Sequence, residues 1–140
     1  MPFCGDQHVD LNEECDDSVA GLGNDGCSST CRTETLTWTN LTPSPMVPRV
    51  FHATAYDSER ERVVLFGGAT PDQAYSGSIA DNETWEWDGA AWTQITTLVA
   101  PPARTHHGMV FDSVRNRVVL FGGDDANGQA LGATWEWSRH

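Results

Sequence analysis

The chain has 140 residues, 20 of them acidic and 8 basic, for a net charge of −12, and every basic residue is arginine. A balance this negative excludes binding driven by nucleic-acid phosphates or by anionic membrane surfaces, both of which need clustered Lys and Arg. The apolar runs are short, such as Val118-Val119-Leu120-Phe121, and none approaches the ~20 residues of a membrane span. Met1-Pro2-Phe3 runs straight into Cys4, so a signal peptide has either been removed or lies beyond a gene fragment. All 4 cysteines precede residue 32 and all 6 tryptophans follow residue 37, so the sequence reads as two modules.

The first module, residues 1–34, carries −7 of the charge, with eight acids against Arg32. So short a piece with few large apolar residues cannot fold on a core alone and needs a staple. Cys4, Cys15, Cys27 and Cys31 lack the paired CxxC knuckles of a zinc site and read as two disulfides, with three connectivities open. Disulfides imply an oxidising compartment, extracellular or in the cell envelope. Between Cys15 and Cys27, Asp16, Asp17, Asn24 and Asp25 sit on glycine-rich turns. Carboxylate and amide oxygens so placed suit Ca²⁺, which takes six to eight oxygen ligands. They equally suit Asx turns in a solvated loop.

Cys4-Gly5-Asp6, Glu13-Glu14-Cys15-Asp16-Asp17, Asp25-Gly26-Cys27-Ser28 and Cys31 together resemble the myxobacterial cysteine-rich repeat, a pattern similar to Lin-12/Notch repeats. The resemblance covers residues 4–34 and implies a secreted, disulfide-bonded module whose Notch-like relatives bind calcium. Gln7 stands where that pattern has glycine, and Ser18-Val19 replace Gly-Asn, which removes one oxygen ligand.

The second module, residues 35–140, repeats itself. Arg49-Val50-Phe51-His52 through Asp57-Ser58 returns as Arg104-Thr105-His106-His107 through Asp112-Ser113, and Arg62-Val-Val-Leu-Phe-Gly-Gly68 as Arg117-Val-Val-Leu-Phe-Gly-Gly123, both 55 residues on. Thr84-Trp-Glu-Trp87 returns as Thr134-Trp-Glu-Trp137 after 50 residues, because the loop after the double glycine has 15 residues in the first copy, Ala69–Glu83, and 10 in the second, Asp124–Ala133. The Val-Val-Leu-Phe runs read as strands covered on both faces. Trp-Glu-Trp alternates, placing both tryptophans on one face and Glu86 or Glu136 on the other. Asp88-Gly89-Ala90-Ala91 turns the chain into a further strand at Trp92. Nothing shows helical periodicity.

Double glycine after an apolar strand, then Trp-x-Trp, then Trp, resembles the kelch repeat, which implies an all-β fold of four-stranded β-propeller blades. Residues 36–42 match a last blade strand through Trp38, followed by a repeat over 49–97 and a partial one over 104–138. Two blades' worth of strands is fewer than the roughly four to eight of a propeller. The chain is accordingly either a fragment of a longer protein or one member of a homo-oligomer that completes a ring.

Asp57 and Asp112, each followed by Ser, read as turn residues because they recur. Arg49/Arg104 and His52/His107 read as framework for the same reason, while His106, opposite Phe51, breaks the repeat. No nucleophile elbow, phosphate loop or zinc-protease motif is present, and no catalytic residue is assigned. Asn40-Leu41-Thr42 and Asn82-Glu83-Thr84 satisfy the N-glycosylation pattern. The expected function is non-enzymatic: blades presenting the loops at Ala69–Glu83 and Asp124–Ala133 to a protein or glycan. The competing expectation is a piece of a larger propeller hydrolase or oxidase whose active site lies elsewhere.

Overall fold

The computed structural model describes residues 32–33, 37–41, 44–70 and 80–138. The chain divides into two units, Met1–Asn40 and Leu41–His140, against a module boundary after residue 34 in the sequence reading. Seven described strands all belong to the second unit: β1 (Ala53–Asp57), β2 (Arg62–Phe66), β3 (Thr84–Trp87), β4 (Trp92–Ile95), β5 (Gly108–Asp112), β6 (Arg117–Phe121) and β7 (Thr134–Trp137). They form two antiparallel meanders of propeller-blade type, a four-stranded sheet β1-β2-β3-β4 and a three-stranded sheet β5-β6-β7. The described residues form strands and no α-helix, an all-β arrangement that their alternating and β-branched segments require.

Each meander is set by short-range polar chemistry at its turns. The Asp57 carboxylate accepts from the backbone N–H groups of Glu59 and Arg60, and Asp112 does the same for Val114 and Arg115. These Asx turns reverse the chain from β1 to β2 and from β5 to β6. Each ends on a left-handed residue, Glu61 (φ 53°) or Asn116 (φ 53°). Asp88 closes the β3–β4 turn through the N–H groups of Ala90 and Ala91.

Register then sorts the side chains. Leu65 pairs with Trp85 and Val63 with Trp87, so both tryptophans share the Leu65 face, while Glu86 pairs with Val64 on the opposite face. The second sheet repeats this, with Leu120 opposite Trp135, Val118 opposite Trp137 and Val119 opposite Glu136. The sheets pack by unlike faces. Ala55 and Val64 of the first sheet meet Val118 of the second, with Met109, Phe111 and Trp137 closing around them. Across this interface the Trp137 indole N–H donates to Glu86 at 3.3 Å, and Glu86 also accepts from Arg60 at 2.8 Å. A buried carboxylate with two donors is thus tolerated inside the sheet stack.

Burial separates two otherwise matching strands. In β2, Val64, Leu65 and Phe66 are all buried, as a strand covered on both faces requires. In β6, Val118 and Leu120 are buried but Phe121 is 59% exposed, because Val110, Val119 and Phe121 lie on the face turned away from the first sheet. The expectation of two covered faces is therefore met in β2 and corrected for β6. The strand expected over 36–42 is also corrected: its described residues, 37–41, adopt no strand and Trp38 is fully exposed. The Thr-Trp-Thr alternation has the right period but, among the described residues, no neighbouring ladder to join, and an extended segment without one stays open to water.

Candidate functional site

The double glycines build one edge of the sheet pair. Gly67 (φ 64°) and Gly68 (φ 90°) turn the chain out of β2 in a left-handed conformation. A Cβ on Gly67 would lie 2.7 Å from the Arg104 carbonyl oxygen, so glycine is required for close approach as well as for φ. The space is used for stitching: the Gly68 N–H donates to the Arg104 carbonyl at 3.0 Å, and the Arg104 N–H to Asp81 at 3.1 Å. Val50 and Ala69 exchange backbone hydrogen bonds of 2.8 and 2.9 Å, and Thr105 and Asp124 exchange bonds of 3.0 and 2.9 Å. Each loop after a double glycine therefore begins pinned against the segment that enters its own sheet. We call this edge the glycine rim.

Arginines latch the rim. Arg49 donates from Nη1 to the Gly67 carbonyl at 3.1 Å and from Nη2 to Glu83 Oε2 at 2.7 Å, with Asp81 at 3.6 Å. The guanidinium lies over the Trp85 ring at 5.9 Å, and the Trp85 indole N–H reaches the same Glu83 oxygen at 2.8 Å. Burial disfavours the Glu83 carboxylate, but the hydrogen bonds from Arg49 and Trp85 outweigh it and hold its pKa below the usual value. Arg104 occupies the matching place in the second sheet. Its Nη1 donates to the Gly122 carbonyl at 2.9 Å and its Nε to Pro102 at 3.1 Å. The residue is wholly buried, and burial draws its pKa below the ordinary arginine value.

The recurring histidines differ. His107 is buried, edge-on to Phe66 with ring centroids 5.6 Å apart, and His52 is exposed. Burial first, then the Arg104 charge, lowers the His107 pKa from 6.5 to about 4. In the unfolded chain the ring protonates near 6.5, so between these values only the unfolded state takes up the proton. Stability falls as pH drops from 6.5 towards 4, and His107→Gln flattens that part of the profile in denaturant titrations at pH 7, 5.5 and 4. A smaller slope persists from His52, whose pKa burial and Arg49 also lower.

Between the latches, Phe51 (φ 59°) and His106 (φ 57°) occupy equivalent repeat positions, both left-handed and neither glycine. Their rings lie 4.3 Å apart, and the His106 N–H donates to the Phe51 carbonyl at 3.0 Å. Both are about half exposed, Phe51 at 49% and the His106 side chain at 54%. His106 Nδ1 is 3.5 Å from Asp124 Oδ2. Left-handed backbone costs an ordinary residue on the order of 1–2 kcal/mol, so two such residues fixed with their rings towards water form a preset aromatic feature on the same rim as the described roots of the two loops.

The structure brings together Arg49, Phe51, Arg104, His106 and His107, which the repeats single out. Cys4, Cys15, Cys27 and Cys31, and the calcium candidates Asp16, Asp17, Asn24 and Asp25, lie outside the described residues, as does most of the longer loop, 71–79. Among the described residues no cluster of three His, Cys, Asp or Glu side chains is placed to hold a metal. No described helix is long and apolar enough to cross a membrane. Glu83 escaped sequence reasoning as the keystone of the first latch. The signal that marks it is Ala133 at the matching place in the second copy.

No family model matches the chain. The human Rab9 effector protein with kelch motifs is 31% identical over 106 residues, covering 72% of this chain and 27% of that protein. The solved structure of YjhT is similar with a TM-score of 0.53 at 17% identity, covering 70% of this chain and 30% of that one. The chain thus spans less than a third of either relative. The repeats are kelch-like in sequence and blade-like in fold.

Proposed function

We propose that the repeats form a non-catalytic interaction module that binds a protein through the glycine rim. The observation that carries this reading is the exposed Phe51–His106 stack on left-handed backbone, flanked by loops pinned at their roots. Aromatic groups held rigidly in one conformation supply contact area with little entropy left to lose, which is what recognition surfaces require. The loops beside them differ by five residues between copies, the variation that a fixed sheet scaffold tolerates and recognition exploits. Similarity to an effector protein with kelch motifs supports a binding role. The repeated arginines are engaged within the sheets, Arg49 by Gly67 and Glu83 and Arg104 by Pro102 and Gly122.

The reading extends to the first unit, whose acidic cysteine framework we assign to disulfides, a calcium ion and a setting outside the cell. Glycan recognition through the same loops, and completion of a propeller ring by further copies, belong to the same reading.

The test is partner capture on the immobilised chain, followed by affinity measurement for each protein retained. Phe51→Ala with His106→Ala is expected to weaken a genuine partner by about tenfold or more, the scale of a hot-spot pair. Val114→Ala, exposed on the β5–β6 turn, leaves it unchanged. Equal binding by all three proteins overturns the assignment to the rim.

A further inference from the structure

The two arginine latches share a scaffold but not a counter-charge. In the first, the Glu83 carboxylate joins Arg49 Nη2 to the Trp85 indole N–H. In the second, Arg104 Nη2 and Trp135 Nε1 are both buried and, among the described residues, have no hydrogen-bond partner. The structural equivalence of these places is fixed by backbone. Phe66 pairs with Thr84 and Phe121 with Thr134, so Glu83 and Ala133 each precede the paired residue by one position. The Asp81 N–H donates to the Gly68 carbonyl at 2.7 Å, and the Leu131 N–H to the Gly123 carbonyl at 2.8 Å, so the returning loops are also in step. Both acids around Arg49, Asp81 and Glu83, are thus replaced around Arg104, by Leu131 and Ala133. What is left is a wholly buried guanidinium, bound through Nε and Nη1 to the Pro102 and Gly122 carbonyls, whose Nη2 has no acceptor among the described residues, and an indole N–H that likewise has none.

A buried cation with an unmet donor is costly, and a second unmet donor on Trp135, the repeat equivalent of Trp85, adds to that cost. In the first latch the equivalent two donors, Arg49 Nη2 and the Trp85 indole N–H, are both met by one carboxylate oxygen of Glu83, and a carboxylate at the equivalent place would meet both here.

We propose that the second latch is a carboxylate-binding site, in which Arg104 Nη2 and Trp135 Nε1 bind a carboxylate brought from outside the sheet to the place that Glu83 fills in the first. Ala133, exposed where the glutamate would stand, leaves the approach free of a side chain beyond Cβ. The group can be a small free anion or a carboxylate on a bound partner.

The experiment uses the full chain, with sodium acetate and sodium formate as the free-anion probes and sodium chloride at equal ionic strength as reference. A short neutral peptide ending in an amidated glutamate is the partner-type probe. Two readouts are followed: the melting midpoint, and the Trp135 indole N–H resonance in ¹H–¹⁵N spectra. At least one probe is expected to raise the midpoint by several degrees along a saturating curve, since binding only the native state adds stability. The same probe shifts the Trp135 resonance towards hydrogen-bonded values. A response to acetate and formate identifies a free anion, and a response to the peptide alone identifies a partner carboxylate.

Ala133→Glu supplies the group internally, so it raises the midpoint without added anion and abolishes the response to every probe. Ala133→Gln, uncharged and of the same length, does neither fully. Should Ala133→Glu fail to fold, the Trp135 resonance of the unaltered chain still decides. A resonance unmoved by all three probes overturns the proposal, as does an anion response that survives in a folded Ala133→Glu chain.

Discussion

Glu83→Ala lowers the unfolding free energy of the repeat unit by about 2–4 kcal/mol, the range for removing one partner of a largely buried charge pair. The size follows from what remains. The Arg49 side chain is only 4% exposed, and Glu83 accepts from both Nη2 and the Trp85 indole, so one truncation orphans two donors. Glu83 is itself 33% exposed, which moderates the loss below that of a fully desolvated pair. Urea denaturation at neutral pH measures it, and a change under about 0.5 kcal/mol, the scale of an ordinary surface substitution, contradicts the latch. The pH dependence has a definite sign. Because Glu83 titrates below its unfolded value of 4.5, its contribution is present above 4.5 and is lost as pH falls through the depressed folded value. Glu83→Ala removes that acid-side loss, leaving the higher window of His107 in place.

Phe66→Ala and Phe121→Ala remove the same side chain from the same position of two matching strands and separate widely. Phe66 is 3% exposed between the sheets and against His107, so truncation costs about 3–5 kcal/mol, transfer and cavity terms together. Phe121 is 59% exposed, and its loss changes stability by about 0.5 kcal/mol or less. Equal losses in thermal or denaturant unfolding contradict the assignment of β6 to a sheet with one open face.

Much of the fold is legible in the residues because it rests on local rules. The period-two alternation of Trp85-Glu86-Trp87 and the Asp57, Asp88 and Asp112 turns each act within a few residues, the 55-residue repeat carries the same local rules into the second sheet, and each appears where the pattern puts it. Failures occur where the outcome depends on a neighbour. Trp38 has strand chemistry but no ladder among the described residues, and Phe121 has core chemistry but no covering sheet. The rim is legible only in part. Recurrence marks Arg49 and Arg104, yet it cannot tell that His107 is enclosed while His52 is open, since that difference depends on which side of a sheet has a companion. Glu83 reads as an ordinary loop residue until the fold brings it under Arg49 from 34 positions away.

The sheets meet by unlike faces, the acid-bearing face of one against the tryptophan face of the next. An interface of this kind has a direction, and adding a unit regenerates the surface to which the following unit attaches. A gene segment encoding one repeat can therefore be duplicated in tandem without redesign of any core, because each new sheet inherits a matched socket and plug. Length differences between copies fall in the loops after the double glycines, outside the matched faces. Growth by duplication and divergence of the loops are thereby uncoupled, so a lineage can change what the rim presents while the stacking rule stays fixed.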